Sequence, residues 1–466
     1  MSLLIMKFGG TSVGSAEAIA AIVDITIEQH RVWGQVGVVV SAMSRVTDML
    51  ISGARAAAHG DDTVYLANAV AIRQKHAVAL AELSGGDADA QATLADINTL
   101  IDGFELLCRS VHVLGDLTPR AHDAIASLGE RMSARLVACA MRARGLASQH
   151  VDATDFLVTT DEFESAVPLH PQTRALAKAR LLPLLEDGVV PIITGYIGAT
   201  EGGVTTTLGR GGSDYSGAII GSALDADEVA IYTDVDGVMT TDPRLVADAR
   251  VLPVLSFMEM SELAYFGAKV LHPRTVRPCV ERGIPLRIRN TFNPSHPGTL
   301  LAEHAEDDGR GVRAVAAIKH LSMVTVEGRG MIGVPGVAAR TFGAVAAAGA
   351  NVLMISQASS EQSICFVVPA ASAEPTVQAL ELGLRHELER RDIDRIWARE
   401  GIVIVTAVGA GMRERPGVAA QVLSALATQQ INVIAIAQGS SECAISVVVG
   451  APDGDAAVRA IHALAV

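Results

Sequence analysis

The sequence is poor in aromatic residues and holds few cysteines. Only 3% of its 466 residues are Phe, Trp or Tyr, whereas half are apolar and 43 are glycines. This composition is typical of an α/β protein whose helices pack closely on a sheet, and it excludes a disordered or fibrous chain. The five cysteines lie far apart, with no CxxC or Cys/His ligand spacing. We therefore expect reduced thiols and no protein-built metal site.

Basic charge and long hydrophobic runs are also scarce. Acidic residues outnumber basic ones, 51 to 37, and the formal net charge is −14. Such a chain is a poor binder of nucleic acids and anionic membranes, so we expect neither as a partner. No stretch approaches the roughly 20 uninterrupted apolar residues of a membrane span. The first ten residues carry no basic segment typical of a signal peptide, which favours a cytoplasmic protein.

Short apolar segments alternate with helical patterns over roughly the first 295 residues. This alternation predicts a mostly parallel sheet sandwiched by helices. Residues 63–145 are predicted to be largely helical, and Thr11 or Ser12 is expected to cap the first helix. A Pro- and Gly-containing stretch, 293–298, indicates a linker. The predicted strands are Leu3–Phe8, Val36–Val40, Val189–Thr194, Val229–Thr233 and Leu286–Ile288.

Beyond the linker the chain repeats itself with an offset of 81 residues. Residues 335–368 and 416–449 share 17 identities in 34 positions when aligned without a gap. Each unit shows the pattern strand, Pro-Gly loop, helix, two strands and helix, which predicts a small βαββαβ module. We predict a catalytic domain at 1–295, a linker at 296–314 and modules at 315–395 and 396–466. Whether the modules are sequential or interleaved is left open.

Three glycine-bearing segments could bind phosphate groups in the predicted sheet domain. They are Lys7–Ser12, Gly209–Asp214 and Thr233–Gly237. Glycine permits close backbone approach, and the free N–H groups at a helix N-terminus bind phosphate oxygens. Each segment alone also fits a simple tight turn. The GxxxxGK[ST] pattern is absent, so a P-loop nucleotide fold is excluded.

Five motifs, in this order, resemble those of aspartate kinases. They are KFGGTSVG (7–14), GERMS (129–133), GRGGSDYS (209–216), TDVDG (233–237) and FGAKVLHP (266–273). The tandem repeat resembles that family's paired ACT domains. The chain is most similar to the kinase half of threonine-sensitive aspartokinase–homoserine dehydrogenases. The resemblance implies an amino-acid-kinase fold followed by two ACT-type domains.

The same resemblance implies ATP-dependent phosphorylation of the L-aspartate side-chain carboxylate to 4-phospho-L-aspartate. This is the first step of lysine, threonine and methionine biosynthesis, and feedback through the ACT domains is implied as well. Two other functions stay open. One is a related kinase acting on glutamate, acetylglutamate, carbamate or a nucleotide, and the other is an inactive amino-acid sensor.

The resemblance also implies which residues of this chain form the active site. A carboxylate nucleophile is already ionised at neutral pH, so catalysis consists of positioning and charge neutralisation. Mg²⁺ is expected to be carried by ATP. Catalytic roles are implied for Lys7 and Asp214. Substrate binding is implied for Thr47, Glu130, Arg210, Gly211, Gly212 and Ser213. ATP binding is implied for Lys7, Phe8, Gly9, Gly10, Thr233, Asp234, Met239, Arg244, Lys269 and Val270.

Two of these residues also have structural interpretations. Arg210 offers a rigid donor fork for a carboxylate, and Glu130 can accept hydrogen bonds from an ammonium group. Glu130 among apolar neighbours also fits a structural partner of Arg131 or Arg135. Asp214 also fits an ordinary residue at a helix start.

Regulation is expected to involve one glutamine in each module. Gln357 and Gln438 end corresponding apolar strands and precede Ser-Ser-Glu. An amide donates and accepts hydrogen bonds at once, which suits a hydroxyl-bearing amino acid. By resemblance we expect threonine as the effector, with lysine as the alternative, and a homodimer or homotetramer. A purely structural role for both glutamines stays open.

Overall fold

A computed structural model describes residues 2–267, 271, 273–303, 311–331, 334–357, 362–413, 415–439 and 441–465. The chain forms two compact units. Unit 1 comprises Met1–Val238, Val251–Phe257 and Val270–Ala305. Unit 2 comprises Met239–Arg250, Met258–Lys269 and Glu306–Val466. Two short segments of the predicted catalytic domain, 239–250 and 258–269, thus belong to the unit that contains the repeats.

The structure contains the predicted strands and the predicted helical region 63–145, and it adds several short strands to unit 1 that the sequence pattern does not predict. The strands are β1 (Ser2–Phe8), β2 (Gly34–Val40), β3 (Ser148–Val151), β4 (Val158–Thr159), β5 (Val190–Thr194), β6 (Ile197–Thr200), β7 (Thr205–Thr207), β8 (Glu228–Thr233), β9 (Val254–Ser256), β10 (Leu286–Asn290), β11 (Thr299–Ala302), β12 (Ala314–Glu327), β13 (Met354–Gln357), β14 (Ser363–Pro369), β15 (Arg395–Val408), β16 (Val433–Gln438) and β17 (Ala444–Gly450). The helices are α1 (Ala16–Trp33), α2 (Val46–Ala58), α3 (Thr63–Ser84), α4 (Ala88–Leu114), α5 (Pro119–Ala126), α6 (Leu128–Ala143), α7 (His170–Glu186), α8 (Gly212–Leu224), α9 (Phe257–Tyr265), α10 (Pro273–Val280), α11 (Val337–Ala347), α12 (Ala373–Gly383), α13 (Arg385–Glu389), α14 (Val418–Thr428) and α15 (Gly454–His462).

Unit 1 is built on an eight-stranded, mostly parallel sheet. Its strand order is β3-β5-β2-β1-β8-β10-β11-β9. Only the β10–β11 pair is antiparallel. Apolar side chains of β1, β2, β5 and β8 form a core with residues of α1 to α6. The predicted fold class, a mostly parallel sheet covered by helices, is confirmed.

A small three-stranded sheet, β4-β6-β7, accompanies the main sheet. β4 pairs parallel with β6, and β6 pairs antiparallel with β7. These strands have two to four residues each. Because β7 ends at Thr207, it delivers the chain directly to the glycine-bearing segment 209–214.

The expected cap of the first helix is wrong by a few residues. Thr11 and Ser12 lie in a turn, in which Gly14 N donates to Thr11 O at 3.2 Å. The cap of α1 is Ser15, whose Oγ accepts from Ala18 N. The reason is that the chain leaving β1 makes this extra turn before it can enter the helix.

Unit 2 contains a six-stranded antiparallel sheet, ordered β13-β14-β12-β15-β17-β16. The long strands β12 and β15 pair along their whole length, with irregularities near residues 318–323. Residues 314–318 pair with 404–408, and 321–327 pair with 395–402. The outer strands β13 and β16 contact each other.

The two apolar cores of unit 2 divide these long strands between them. Val315 of β12 packs with β15 residues Val403 and Val405 in one core, which includes α14 and α15. Val324 of β12 packs with Ile396 of β15 in the other core, which includes α11 and α12. We therefore propose interleaved modules. The first module is 321–399 and the second is 402–465, completed by the strand 314–318.

Segment 239–250 belongs to unit 2 because its side chains pack and bond there. Val246 lies in the core of the second module. The Oγ1 of Thr240 and the Nε2 of His462 share a buried hydrogen bond of 2.8 Å. None of the helices in the described part of the chain combines the length and apolarity that crossing a membrane requires.

Candidate active site

Four loops of unit 1 leave the carboxyl ends of neighbouring parallel strands. They follow β1, β2, β5 and β8. Ser41 N donates to Phe8 O at 3.2 Å, and Gly195 N donates to Val40 O at 2.8 Å, so the loops stay in register as they leave the sheet. Ligands of open α/β sheets bind at this edge.

A cavity of about 260 Å³ opens at this edge. Segments that are far apart in sequence line it, and most carry a predicted site residue. The lining residues are Lys7, Ser41, Thr47, Glu130, Tyr196, Gly209, Gly211, Gly212, Ser213 and Asp214.

Lys7 and Asp214 form an ion pair beside the cavity. The Lys7 Nζ lies 2.5 Å from Asp214 Oδ1, and the two side chains are 8% and 20% exposed. Lys7 is next to last in β1, and Asp214 lies in the first turn of α8. Asp214 is thus both a residue at a helix start and the partner of Lys7, so its two interpretations are compatible.

Glycines keep the surroundings of Lys7 open. A Cβ on Gly217 would lie 3.1 Å from Lys7 Cβ, so glycine on α8 lets the lysine side chain pass. A Cβ on Gly9 would lie 3.4 Å from Lys7 Nζ. The absence of side chains at these positions leaves the ammonium group accessible to an anion.

Glu130 is an acidic side chain held in an apolar setting. It lies on α6 and is 3% exposed. Its Oε1 accepts a hydrogen bond from Ala42 N at 3.3 Å, whereas the buried Oε2 has no hydrogen-bond partner among the described residues. Burial raises the pKa of Glu130 to about 8. An unpaired buried carboxyl oxygen beside a cavity fits a cationic ligand group.

The alternative interpretation of Glu130, as a partner of Arg131 or Arg135, does not agree with the contacts of these arginines. Arg131 and Arg135 instead contact Asp152, at 3.4 and 3.3 Å. Neither arginine has a contact with Glu130 among its hydrogen bonds and ion pairs in the described part of the chain. Glu130 therefore faces the cavity without an arginine partner from its own helix.

Tyr196 forms a wall of the cavity in an unusual backbone conformation. Its φ is +68°, which a bulky residue rarely adopts. Its N–H donates to Ser216 Oγ at 2.9 Å, and this hydroxyl donates to Gly212 O at 2.9 Å. A Cβ on Gly212 would lie 2.6 Å from the Tyr196 ring, so only glycine fits there. Burial is the main cause of the raised pKa of the Tyr196 phenol.

Other predicted residues lie around the cavity without lining it. Arg210 is exposed, between two glycines that do line it. Phe8 is buried and stacks on Tyr232, with ring centroids 4.6 Å apart, so any nucleotide contact would use its backbone. Thr233 ends β8 and donates its hydroxyl hydrogen to Asp234 Oδ1 at 3.1 Å. Gly9 N donates to Tyr232 O, which puts Gly9 beside the end of β8.

Of four further predicted ATP-binding residues, two belong to unit 2 and two lie outside the described residues. Met239 and Arg244 belong to unit 2, where Arg244 Nη2 contacts Asp242 Oδ2 at 2.7 Å. Lys269 and Val270 lie outside the described residues. Their roles stay predictions.

Sequence reasoning missed three residues that line the cavity: Ser41, Tyr196 and Gly209. Ser41 directly follows β2, Tyr196 lies two residues after the end of β5, and Gly209 precedes the predicted site residue Arg210. The position of Ser41 and Tyr196 after predicted parallel strands was a usable signal. The positive φ of Tyr196 carried no signal in the sequence.

Known proteins are similar to the chain over nearly its whole length. The profile of the amino acid kinase family matches residues 2–290, and that of the ACT domain matches residues 324–382 and 405–464. The bifunctional aspartokinase/homoserine dehydrogenase 2 of Arabidopsis thaliana is 39% identical over 98% of this chain. The chain spans about half the length of such bifunctional relatives, 50% in this case.

Monofunctional relatives are covered more completely. Aspartokinase 1 of Arabidopsis thaliana is 31% identical over 98% of this chain and 79% of the relative. E. coli aspartokinase III in complex with aspartate and ADP is 30% identical, with a TM-score of 0.79 over 99% of both chains. The same enzyme with lysine and aspartate gives a TM-score of 0.80 over 99% of both chains. The chain therefore belongs to the amino acid kinase family and, within it, to the aspartokinases.

Proposed function

We propose that this chain transfers the γ-phosphoryl group of ATP to the side-chain carboxylate of L-aspartate. The observation that carries the proposal is one cavity that holds both the Lys7–Asp214 ion pair and the unpaired carboxyl oxygen of Glu130. A cation for a phosphoryl group thus lies near an acceptor for a substrate ammonium. The complex of E. coli aspartokinase III with aspartate and ADP supports this pair of substrates.

The reaction needs charge neutralisation more than acid–base chemistry. A carboxylate oxygen of aspartate attacks the γ-phosphorus, and the bond between this phosphorus and the β-γ bridging oxygen breaks, releasing ADP and 4-phospho-L-aspartate. Lys7 stabilises negative charge on the transferred group, and Asp214 orients the lysine. The N-terminus of α8 offers the backbone N–H groups of Gly211 and Ser213 to anionic groups, whereas the Gly212 N–H already donates to Gly209 O at 3.0 Å.

Substrate recognition is assigned to groups around the same cavity. Glu130 accepts hydrogen bonds from the aspartate ammonium, while Arg210, Ser213 and Thr47 bind its carboxylates. Gly9, Gly10, Thr233 and Asp234 are assigned to the nucleotide, together with Met239, Arg244, Lys269 and Val270. We propose that Mg²⁺ is bound mainly by the ATP phosphates, whose charge it partly neutralises.

The paired modules are proposed to regulate this activity. The effector is an amino acid, threonine in our proposal, and the lysine complex of E. coli aspartokinase III makes lysine the alternative. A cytoplasmic homodimer or homotetramer acting at the first step of aspartate-family amino acid biosynthesis completes the proposal.

The proposal is tested by trapping the acyl phosphate. We expect ATP turnover that requires both aspartate and Mg²⁺, with a hydroxamate formed when hydroxylamine is present. Glutamate, acetylglutamate and carbamate serve as alternative acceptors in parallel reactions. If hydroxamate formed with glutamate but not with aspartate, glutamate would be the substrate instead. If no acceptor supported turnover, the result would favour an inactive amino-acid sensor.

A further inference from the structure

Asp123 is a completely buried acidic residue that lies outside the cavity lining. It is on α5, and its side chain is 0% exposed. Its Oδ2 accepts hydrogen bonds from Glu164 N at 2.9 Å and from Thr207 N at 2.8 Å. Its Oδ1 accepts from Thr207 Oγ1 at 2.8 Å. The His122 ring nitrogen Nδ1 is 3.5 Å from the same Oδ1.

The bond from Glu164 N to Asp123 fixes the backbone against which Gly209 packs. Glu164 has a φ of +66°, and its N–H is the group that Asp123 binds. A Cβ on Gly209 would lie 3.0 Å from Glu164 O. Because a non-glycine residue rarely adopts this conformation, the bond from Asp123 stabilises a local arrangement that the chain would otherwise disfavour.

The other two bonds act at Thr207, two residues before segment 209–214 begins. Asp123 binds both the N–H and the hydroxyl of Thr207, the last residue of β7. Thr207 pairs in the β6–β7 ladder with Ile197, the residue that follows Tyr196. Leu208 N donates to Tyr196 O at 2.9 Å, and the Tyr196 ring is packed against Gly212.

We propose, on the basis of the proposed function, that Asp123 is a positioning residue for aspartate binding. It holds Glu164 and Thr207, and through them Gly209 and Tyr196, so that segment 209–214 presents Arg210 and Ser213 to the substrate carboxylates. It touches neither substrate. Its loss therefore weakens aspartate binding while the Lys7 side of the cavity, assigned to phosphoryl groups, keeps its geometry.

The test is steady-state kinetics of the full chain with aspartate and Mg-ATP varied separately. Asp123→Asn keeps the shape of the side chain but turns one acceptor into a donor. We expect the KM for aspartate to rise about tenfold or more, since a lost bond to a charged group has this size of effect. The KM for ATP should stay within about twofold of the wild-type value.

Thr207 provides a second variant pair in case Asp123→Asn fails to fold. Thr207→Val removes the hydroxyl at constant shape and should raise the KM for aspartate, whereas Thr207→Ser should recover most of the loss. Thr26→Val is the matched control, because Thr26 is equally buried, on α1, and its hydroxyl bonds only to Ile22 O among the described residues. It should lower the melting temperature without changing either KM.

The outcomes separate this inference from the function on which it rests. Wild-type turnover with aspartate, but an unchanged KM for aspartate in Thr207→Val, would overturn the inference alone. Equal effects on the two KM values would also overturn it, because they indicate a general structural role. A wild-type chain without aspartate-dependent turnover would overturn the proposed function, and this inference with it.

Discussion

Two ionisable side chains of the cavity, Lys7 and Glu130, are held there in different ways. Lys7 has a charged partner in Asp214, so its ammonium is oriented before any ligand binds. Glu130 has one backbone donor and one unpaired oxygen, so its binding capacity is unused. The first side chain is therefore suited to a charge that develops during reaction, and the second to a charge that the substrate brings.

Lys7→Ala should lower kcat far more than it raises the KM for ATP. The ammonium matters most while charge moves to the transferred phosphoryl group, and removing one such group typically costs about a hundredfold in kcat. Steady-state kinetics at saturating aspartate measure both parameters. Lys178→Ala is a suitable control, because Lys178 pairs with Asp225 away from the cavity. A variant in which only the KM for ATP rises would show that Lys7 binds ATP without acting in the transition state.

Glu130 should couple aspartate binding to proton release. Burial raises its pKa to about 8, so the free protein holds the carboxyl proton at pH 7. Binding an ammonium group favours the carboxylate, and the proton must then leave. Calorimetric titrations with aspartate at pH 7, in buffers of different ionisation enthalpy, should therefore give buffer-dependent heats. We also expect the KM for aspartate to fall as the pH rises toward 8.

The same residue predicts an opposite trend for stability. Between its ordinary pKa of 4.5 and about 8, native Glu130 keeps a proton that the unfolded chain has lost. The free energy of unfolding should consequently decrease as the pH rises through this window. Glu130→Gln removes this dependence and should abolish the buffer-dependent heats. Heats that are independent of buffer in the wild type would contradict the role assigned to Glu130.

At the scale of helices and strands, strand length decides what the sequence can predict. The apolar segments that form β1, β2, β5 and β8 carry a strong local signal. By contrast, β4 and β7 have only two and three residues, and their pairing depends on neighbours that are distant in sequence. The cap of α1 was misplaced because Thr11, Ser12 and Ser15 are equivalent as caps until the turn after β1 is known.

The site was predictable where a motif carried it and not where tertiary structure creates it. Lys7, Glu130 and Asp214 are assigned from motifs, and the structure brings all three to one cavity. The positive φ of Tyr196 and the burial of Asp123 arise from packing between segments, so local sequence patterns do not reveal them. The proposed interleaving of the modules is similarly invisible in the sequence, because an offset of 81 residues does not say which strands pair.

A buried ion pair ties α9 to the rest of unit 2. Arg313 Nη1 lies 3.2 Å from Glu259 Oε1, and the two side chains are 7% and 0% exposed. The same oxygen accepts from Ala410 N at 2.8 Å. This pair explains why segment 258–269 belongs to unit 2, although the chain on either side of it belongs to unit 1.

Arg313→Met should destabilise unit 2 by about 3 kcal/mol, because it leaves the Glu259 carboxylate buried without this ion pair. Denaturant unfolding of the full chain measures the change. The double variant Glu259→Leu/Arg313→Met removes both charges and should be clearly more stable than Arg313→Met alone. Equal stability of the single and double variants would mean that the pair contributes little to holding α9 in place.

At the scale of the whole molecule, the arrangement of unit 2 suits the sensing of a small amino acid by both modules. Gln357 and Gln438 are exposed at the ends of β13 and β16. These are the outer strands of the sheet, and they contact each other. Corresponding glutamines on two contacting strands could contribute to related effector sites. The serines and glutamate that follow Gln357 lie outside the described residues.

Threonine should inhibit the aspartate-dependent activity, and Gln357→Ala and Gln438→Ala should each weaken that inhibition. An effector acts only through its different affinities for two arrangements of the protein, a difference that is typically about 1–3 kcal/mol. Losing one amide contact removes part of this difference, so the half-inhibitory threonine concentration should rise about fivefold or more. The measurement is a set of inhibition curves for threonine and lysine, alone and together.

The control for this experiment is Gln378→Ala, an exposed glutamine on α12 whose amide bonds to Glu374 of its own helix. Threonine should inhibit the Gln378→Ala variant as strongly as the wild type, because Gln378 lies on a helix and away from the two outer strands. If lysine inhibited the wild type and threonine did not, lysine would be the effector, and the two glutamines would be candidate residues for binding it. A wild type that is insensitive to both amino acids would refute the regulatory proposal. Normal threonine inhibition in both strand variants would leave Gln357 and Gln438 with a structural role only.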